Sequence, residues 1–244
     1  MKKMAQKYVF VSGKGGVGKS SVALGIARSM SEKGLRVLLA DFDIGLRSLD
    51  LMLGVSETVV FDWGDVLLGR CSIKDAVINK GTLAFFPAPA AYDEAFTPEE
   101  IKKLFEVLDA DFDFMLFDAP AGLGKVFELA CAPAQNAVLV TTPDSVCVRS
   151  CSAAAAKVRA LGLENPYLII NRFIEKPVIK GRLLNIDDCI DSVSAKLTGV
   201  VPEDFAVVTS SVTGIQPDKN APSSKAFNRI CLRLNGEKVP LFKD

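Results

Sequence analysis

The sequence of 244 residues contains no histidine. That removes Ser-His-Asp and Cys-His catalysis and every imidazole-ligated metal site, leaving carboxylates, lysines, thiols, backbone amides and a bound divalent cation for any chemistry. Neither sign of charge is in excess, because 29 Lys and Arg face 29 Asp and Glu. The balance argues against a protein that coats nucleic acid by bulk electrostatics. Six cysteines, at 71, 131, 147, 151, 189 and 231, include no Cys-x-x-Cys pair. The usual clamp for zinc or an iron–sulfur cluster is therefore missing, and the thiols read as buried and free in a reducing compartment. No apolar run approaches the ~20 residues that span a bilayer. The apolar stretch Tyr8–Ser12 after the charged Met1–Lys7 ends at Gly13 and Lys14, too short for the apolar region of a signal peptide. These absences predict a cytoplasmic protein, and its length lets it bury about 70–75% of its unfolded surface without staples.

What is present is alternation. Short continuous apolar runs (Tyr8–Ser12, Arg36–Asp41, Phe112–Phe117, Ala137–Thr141, Tyr167–Ile170) are separated by longer segments with helical spacing. Unbroken apolar strands of this kind belong to a parallel sheet covered on both faces. Between the first two, Val22, Ile26, Ala27 and Met30 share one helical face, and Gly34 closes the helix. Thr97-Pro98-Glu99-Glu100 predicts a helix start with a capping box, and Asp144 opens a long helix through Ala160. The fold expected is α/β: a doubly wound, mostly parallel sheet flanked by helices, built as a single domain over residues 1–244. The stretches 88–96 and 174–182 read as irregular.

Directly after the first strand stands Gly13-Lys14-Gly15-Gly16-Val17-Gly18-Lys19-Ser20-Ser21, a match to G-x-x-x-x-G-K-[ST] in the strand–loop–helix setting that the chemistry needs. Glycines let successive N–H groups turn inward onto phosphate oxygens, and the following helix adds its positive end. Lys19 is expected on the β- and γ-phosphates, Ser20 on Mg²⁺ and Ser21 on the α-phosphate. Two further strands end in carboxylates: Asp41-Phe42-Asp43, and Asp118 after Phe114-Met115-Leu116-Phe117. The ends of parallel strands are where such sheets gather their working groups. Asp118 and Asp41 are expected beside the metal, and Asp43 toward the γ-phosphate and its attacking water. Gly122 can bring its N–H to the γ-phosphate and rearrange when that group leaves.

The lysine after the first glycine makes Gly13–Lys19 resemble the deviant Walker A motif of the ParA/MinD ATPases. The resemblance extends through Asp41–Asp50, which looks like the MinD switch I segment, and through Val60–Val66 with Gly69-Arg70-Cys71. Asp118-Ala119-Pro120-Ala121-Gly122 and Thr141-Thr142-Pro143-Asp144 continue it to Asn171-Arg172 and Val201-Pro202-Glu203-Asp204. It implies that Asn171 and Arg172 contact adenine, that Pro202, Glu203 and Asp204 flank the base, and that Lys14 reaches the nucleotide of a partner subunit. It further implies an ATP-dependent homodimer, slow hydrolysis of ATP to ADP, contact with the inner face of the cell membrane, MinC- and MinE-like partners, and a role in placing the division site.

The chain departs from the MinD pattern in three places. It ends Val239-Pro240-Leu241-Phe242-Lys243-Asp244, too short for an amphipathic membrane helix, while the stripe Phe227, Ile230, Cys231 and Leu234 is expected to pack on the core. Ser150 and Ser152 stand where acidic residues typically serve the partners. Leu123-Gly124-Lys125-Val126 replaces an acidic switch II segment. The same chemistry on the same fold also suits a flagellar-placement ATPase, a ParA-type partition ATPase, an iron–sulfur carrier, a carboxylate-activating ligase or a nucleotide-binding adaptor. Nucleic acid is not the expected partner, because the basic residues near the tail read as a solvated helix face.

Overall fold

The computed structural model describes residues 4–242, so that Met1-Lys2-Lys3 and the terminal Lys243 and Asp244 lie outside the described residues. Strand β1 (Gln6–Val11) leads through the glycine loop into α1 (Lys19–Glu32). There follow β2 (Val37–Asp41), α2 (Ser48–Leu53), α3 (Trp63–Leu67), α4 (Ile73–Ala76), β3 (Ile78–Lys80) and β4 (Leu83–Phe86). The chain continues with α5 (Pro98–Val107), β5 (Phe114–Asp118), α6 (Lys125–Cys131), β6 (Asn136–Thr141), α7 (Ser145–Ala160) and β7 (Tyr167–Phe173). It closes with α8 (Glu175–Ile179), α9 (Ile186–Val193), β8 (Lys196–Pro202), α10 (Phe205–Thr213) and α11 (Pro222–Leu234).

The eight strands form one sheet in the order β3-β4-β2-β5-β1-β6-β7-β8. Every neighbouring pair is parallel except β3 with β4. This is the doubly wound architecture that the alternation predicts, with one antiparallel edge added. Strand periodicity of two splits each central strand between two cores. Val9, Val11, Leu38, Ala40, Met115 and Phe117 point into one, which α5, α6 and α7 cover. Tyr8, Phe10, Val37, Leu39, Phe114 and Leu116 point into the other, under α1 and α11. Phe227, Ile230, Cys231 and Leu234 are all buried there, so the tail stripe is core.

Thr97 caps α5 by accepting from the Glu100 N–H at 3.3 Å, with Pro98 at the first helical position. The capping box itself is only half made, because the Glu100 carboxylate accepts from Lys103 Nζ at 2.8 Å instead. Asp144 caps α7 through the Cys147 N–H at 2.9 Å. Residues 88–96 are irregular, whereas the stretch 174–182 contains the short helix α8. Five of the six thiols are buried and Cys71 is half-buried.

Candidate functional site

The carboxyl ends of β1, β2 and β5 meet at the glycine loop. The main chain locks them together: the Phe42 N–H donates to Asp118 O at 2.9 Å and the Ala119 N–H to Phe10 O at 3.0 Å. From below, Trp63 Nε1 donates to Asp41 O at 2.8 Å, its ring packed on Phe42 with centroids 5.1 Å apart. An aromatic core thus fixes the carbonyl of a site residue, which a solvated loop could not do.

Gly13–Ser20 crosses the strand ends under tight constraint. A Cβ on Gly13 would lie 1.9 Å from the Ser150 carbonyl oxygen of α7. A Cβ on Gly18 would lie 2.4 Å from Asn171 Nδ2, and Gly18 has φ 84°. Only glycine fits at either place. Asn171 Nδ2 also donates to Val17 O at 2.8 Å, fastening the end of β7 under the loop. Apart from Val17, whose N–H turns back toward Lys14 O, the backbone N–H groups of Lys14 to Ser21 find no acceptor among the described residues. They form a set of free donors at the start of a fourteen-residue helix, the arrangement that binds anions.

Lys19 is buried, and its Nζ lies 2.6 Å from Asp118 Oδ1 and 3.4 Å from Ser20 Oγ. The other oxygen, Asp118 Oδ2, is buried with no hydrogen-bond partner among the described residues. Asp41 pairs with Asp118 in the β2–β5 register. Burial first, and then the Asp118 charge, push its carboxyl up to about 7, against the opposing effects of the Asp43 N–H and Lys19. Burial also pushes Asp43 up; the Lys19 charge opposes this and the Asp118 charge adds to it. Asp43 is half-buried and faces the same cluster, and Gly122 (φ 94°) lies in the loop that follows Asp118. A Cβ on Gly15 would be 3.7 Å from Ala121 Cβ, which brings that loop beside the glycine loop.

Lys14 behaves differently from Lys19. It is exposed, over the start of α7. Burial opposes ionisation of Asp144 there, but hydrogen bonds from Thr142 and Cys147, and the Lys14 charge, hold its carboxyl below the usual range.

Beside the glycine loop opens a cleft of about 210 Å³, floored by Gly18 and Asn171 and walled by Arg172, Pro202, Glu203 and Asp204. Arg172 holds the left-handed conformation at φ 56°, and its guanidinium grips Glu203 with Nε–Oε2 at 2.8 Å and Nη2–Oε1 at 3.2 Å. The Asp204 carboxylate is fully engaged: Oδ1 accepts from the Ala206 N–H at 3.0 Å, and Oδ2 from the Ser223 N–H at 3.0 Å and Oγ at 2.7 Å. It starts α10 and ties it to α11. Val207, Val208 and Ser211 of α10 complete the wall.

The sequence profile of the ParA family described as NUBPL iron-transfer P-loop NTPase matches residues 3–171. Septum site-determining protein MinD of Bacillus subtilis is 34% identical over 252 residues, spanning 98% of this chain and 92% of that protein. The Escherichia coli K12 protein of the same name is 36% identical over 252 residues, spanning 97% and 93%. The chain belongs to the ParA/MinD family of P-loop ATPases. Among solved structures, a chain of the MinC:MinD cell division protein complex from Aquifex aeolicus superposes with a TM-score of 0.90 at 32% identity, covering 98% of this chain and 99% of that one. MinD from Pyrococcus horikoshii complexed with Mg-ADP superposes with a TM-score of 0.84 at 26% identity, covering 95% and 96%.

The residues of this ATPase fit a nucleotide and its metal on the structure's own evidence. Free amides and a buried lysine meet an anion, while two crowded carboxylates and an unpartnered oxygen call for a cation. Two aspartates and one serine hydroxyl suit a magnesium ion that keeps waters and phosphate oxygens in its shell. Three features escaped sequence reasoning: Ser150 against Gly13, the α10 wall of the cleft, and the use of Asp204 as a cap. The first two have no motif. The third was legible in outline, because an aspartate before an apolar run is an N-cap signal.

Proposed function

We propose that this ATPase binds MgATP in the cleft, pairs with a second copy when loaded, and hydrolyses ATP slowly to release that pairing, as a switch that marks a position in the dividing cell. The observation that carries this reading is the contrast between two lysines five residues apart: Lys19 is buried against Asp118, whereas Lys14 stands exposed at the mouth of the same loop. Lys19 neutralises the terminal phosphates, Ser21 and the amides of Gly13, Gly15, Gly16, Val17 and Gly18 hold the chain of phosphates, and Asn171, Arg172, Pro202 and Glu203 frame the base. Ser20, Asp41 and Asp118 are the residues that would hold magnesium, which when bound neutralises charge on the phosphates. Asp43 orients the attacking water, and Gly122 senses the terminal phosphate. Lys14 is free to cross to the nucleotide of a second copy, so that the triphosphate favours the pair and its loss removes that preference.

The relatives named above are septum site-determining proteins, and one neighbour is a complex of MinD with MinC. A division-site role, a MinC-like partner and contact with the cell membrane come to this chain by that likeness. No helix among the described residues is long and apolar enough to cross a membrane, so such contact would be peripheral. The thiols offer little support to iron transfer, since five of the six are buried and no Cys-x-x-Cys pair is there to clamp a cluster.

The test is light scattering with ADP and with ATP, using Asp43→Ala to retain the triphosphate. The expected result is a doubling of mass with ATP only, lost on Lys14→Ala. A pair that persists without Lys14 would overturn the switch reading, and ATP turnover unchanged in Asp43→Ala would remove Asp43 from its role.

A further inference from the structure

Helix α10 walls the base cleft, yet little apolar burial holds it in place. Ser210 is its one buried residue, while Phe205, Val208 and Val212 are 78%, 45% and 81% exposed. With Val207 its only apolar side chain packed against the core, and that one half-buried, the helix takes much of its orientation from hydrogen bonds. At its start these come from Asp204 and Ser223. At its end they come from Arg28 of α1, with Gln216 Nε2 donating to Glu32 Oε1 at 2.7 Å two residues beyond the cap.

Arg28 Nη1 donates to Ser210 Oγ at 2.9 Å, and Nη2 donates to Gly214 O and to Met52 O, each at 3.1 Å. Gly214 ends α10 and Met52 lies in the last turn of α2. The guanidinium thus sits where two helices present unpaired carbonyls and the negative ends of their dipoles, the place that favours a cation. The two ends touch: a Cβ on Gly214 would lie 3.0 Å from Gly54 Cα, and both glycines have positive φ, 70° and 65°. A planar fork can serve three acceptors spread over two helices; an ammonium cannot match that geometry.

Each helix joined here leaves the nucleotide cleft at its other end. Helix α1 begins at Lys19, α10 follows Asp204, and in α2 the Leu49 N–H donates to Asp41 Oδ2 at 3.4 Å. We propose that Arg28 is a positioning residue that sets the base-cleft wall against the carboxylate segment, so that affinity for the base and ribose depends on it while affinity for the phosphates does not. The proposal rests on the reading of the cleft as an ATP site.

Calorimetry with Mg-ADP and with magnesium tripolyphosphate, which lacks base and ribose, separates the two contributions. Arg28→Met is expected to weaken ADP about tenfold, the scale of lost charge-assisted hydrogen bonds, and to leave tripolyphosphate within about twofold. A cavity of about 220 Å³ runs beside the side chain, so ethylguanidinium at millimolar concentration, the part of the side chain that alanine lacks, should restore ADP affinity to Arg28→Ala and do nothing for the wild type. Should Arg28→Met fail to fold, Ser210→Ala removes one acceptor only and should shift the same ratio by about threefold. Parallel losses on both ligands would show a general loosening of the fold, and unchanged ADP affinity would show that α10 is held by other means; either overturns the proposal. Failure of the wild type to bind either ligand would overturn the nucleotide reading, and this inference with it.

Discussion

The two ends of the proposed nucleotide meet very different walls. On the phosphate side the loop is wedged by backbone: Gly13 against Ser150, Gly18 over Asn171, Lys19 sealed against Asp118, and Asp41 held from below by Trp63. On the base side α10 rests on a few side-chain hydrogen bonds, with most of its apolar surface in solvent. The first wall accepts only the residues that it has. The second has little buried apolar surface, the feature that elements of low local stability share. One ligand would thus be anchored at a rigid end and sensed at a compliant one.

The contrast can be broken most severely at Lys19. Lys19→Ala strands the buried Asp118 carboxylate, and should lower stability by roughly 3–5 kcal/mol in urea unfolding while abolishing ATP binding. A loss below about 1 kcal/mol would put the phosphate side on the same footing as the base side. Asp204→Ala attacks the compliant wall. It removes a helix cap and two bonds from Ser223, and should cost about 1–2 kcal/mol in the same measurement, with weaker ADP binding. The smallest and most direct measurement is hydrogen exchange without ligand. Amides of α10 are expected to exchange at least about tenfold faster than those in the middle of α1; equal protection would erase the distinction.

The same divide governs how much could be read from the sequence. The order strand, glycine loop, helix is local, so β1, the loop and α1 were legible to within two residues, as were the aspartates ending β2 and β5. Strand β8 was harder, because Gly199 interrupts its apolar run. That glycine exists to admit Ile230, whose Cγ1 would lie 2.3 Å from a Cβ there, a contact with a residue 31 positions away that no window could show. The antiparallel β3 has three residues, too few to carry an alternation signal. At Thr97 the capping box was a fair reading of the pattern, but Lys103 competes for the Glu100 carboxylate. Arg28 was invisible for a related reason. A lone arginine in an amphipathic helix reads as a solvated face, and only the folded chain brings Met52, Ser210 and Gly214 to it.

Each rim of the sheet carries a feature that hinders extension. At one, β3 offers three residues with Asn79 and Lys80 exposed; at the other, Arg233 Nη1 occupies the Thr198 carbonyl of β8 at 2.7 Å. A short charged border and a plugged acceptor both discourage strand-to-strand growth into fibrils. Strand pairing being hindered at both places, side-chain surfaces are left for association, and contacts of that kind separate more readily than a shared sheet.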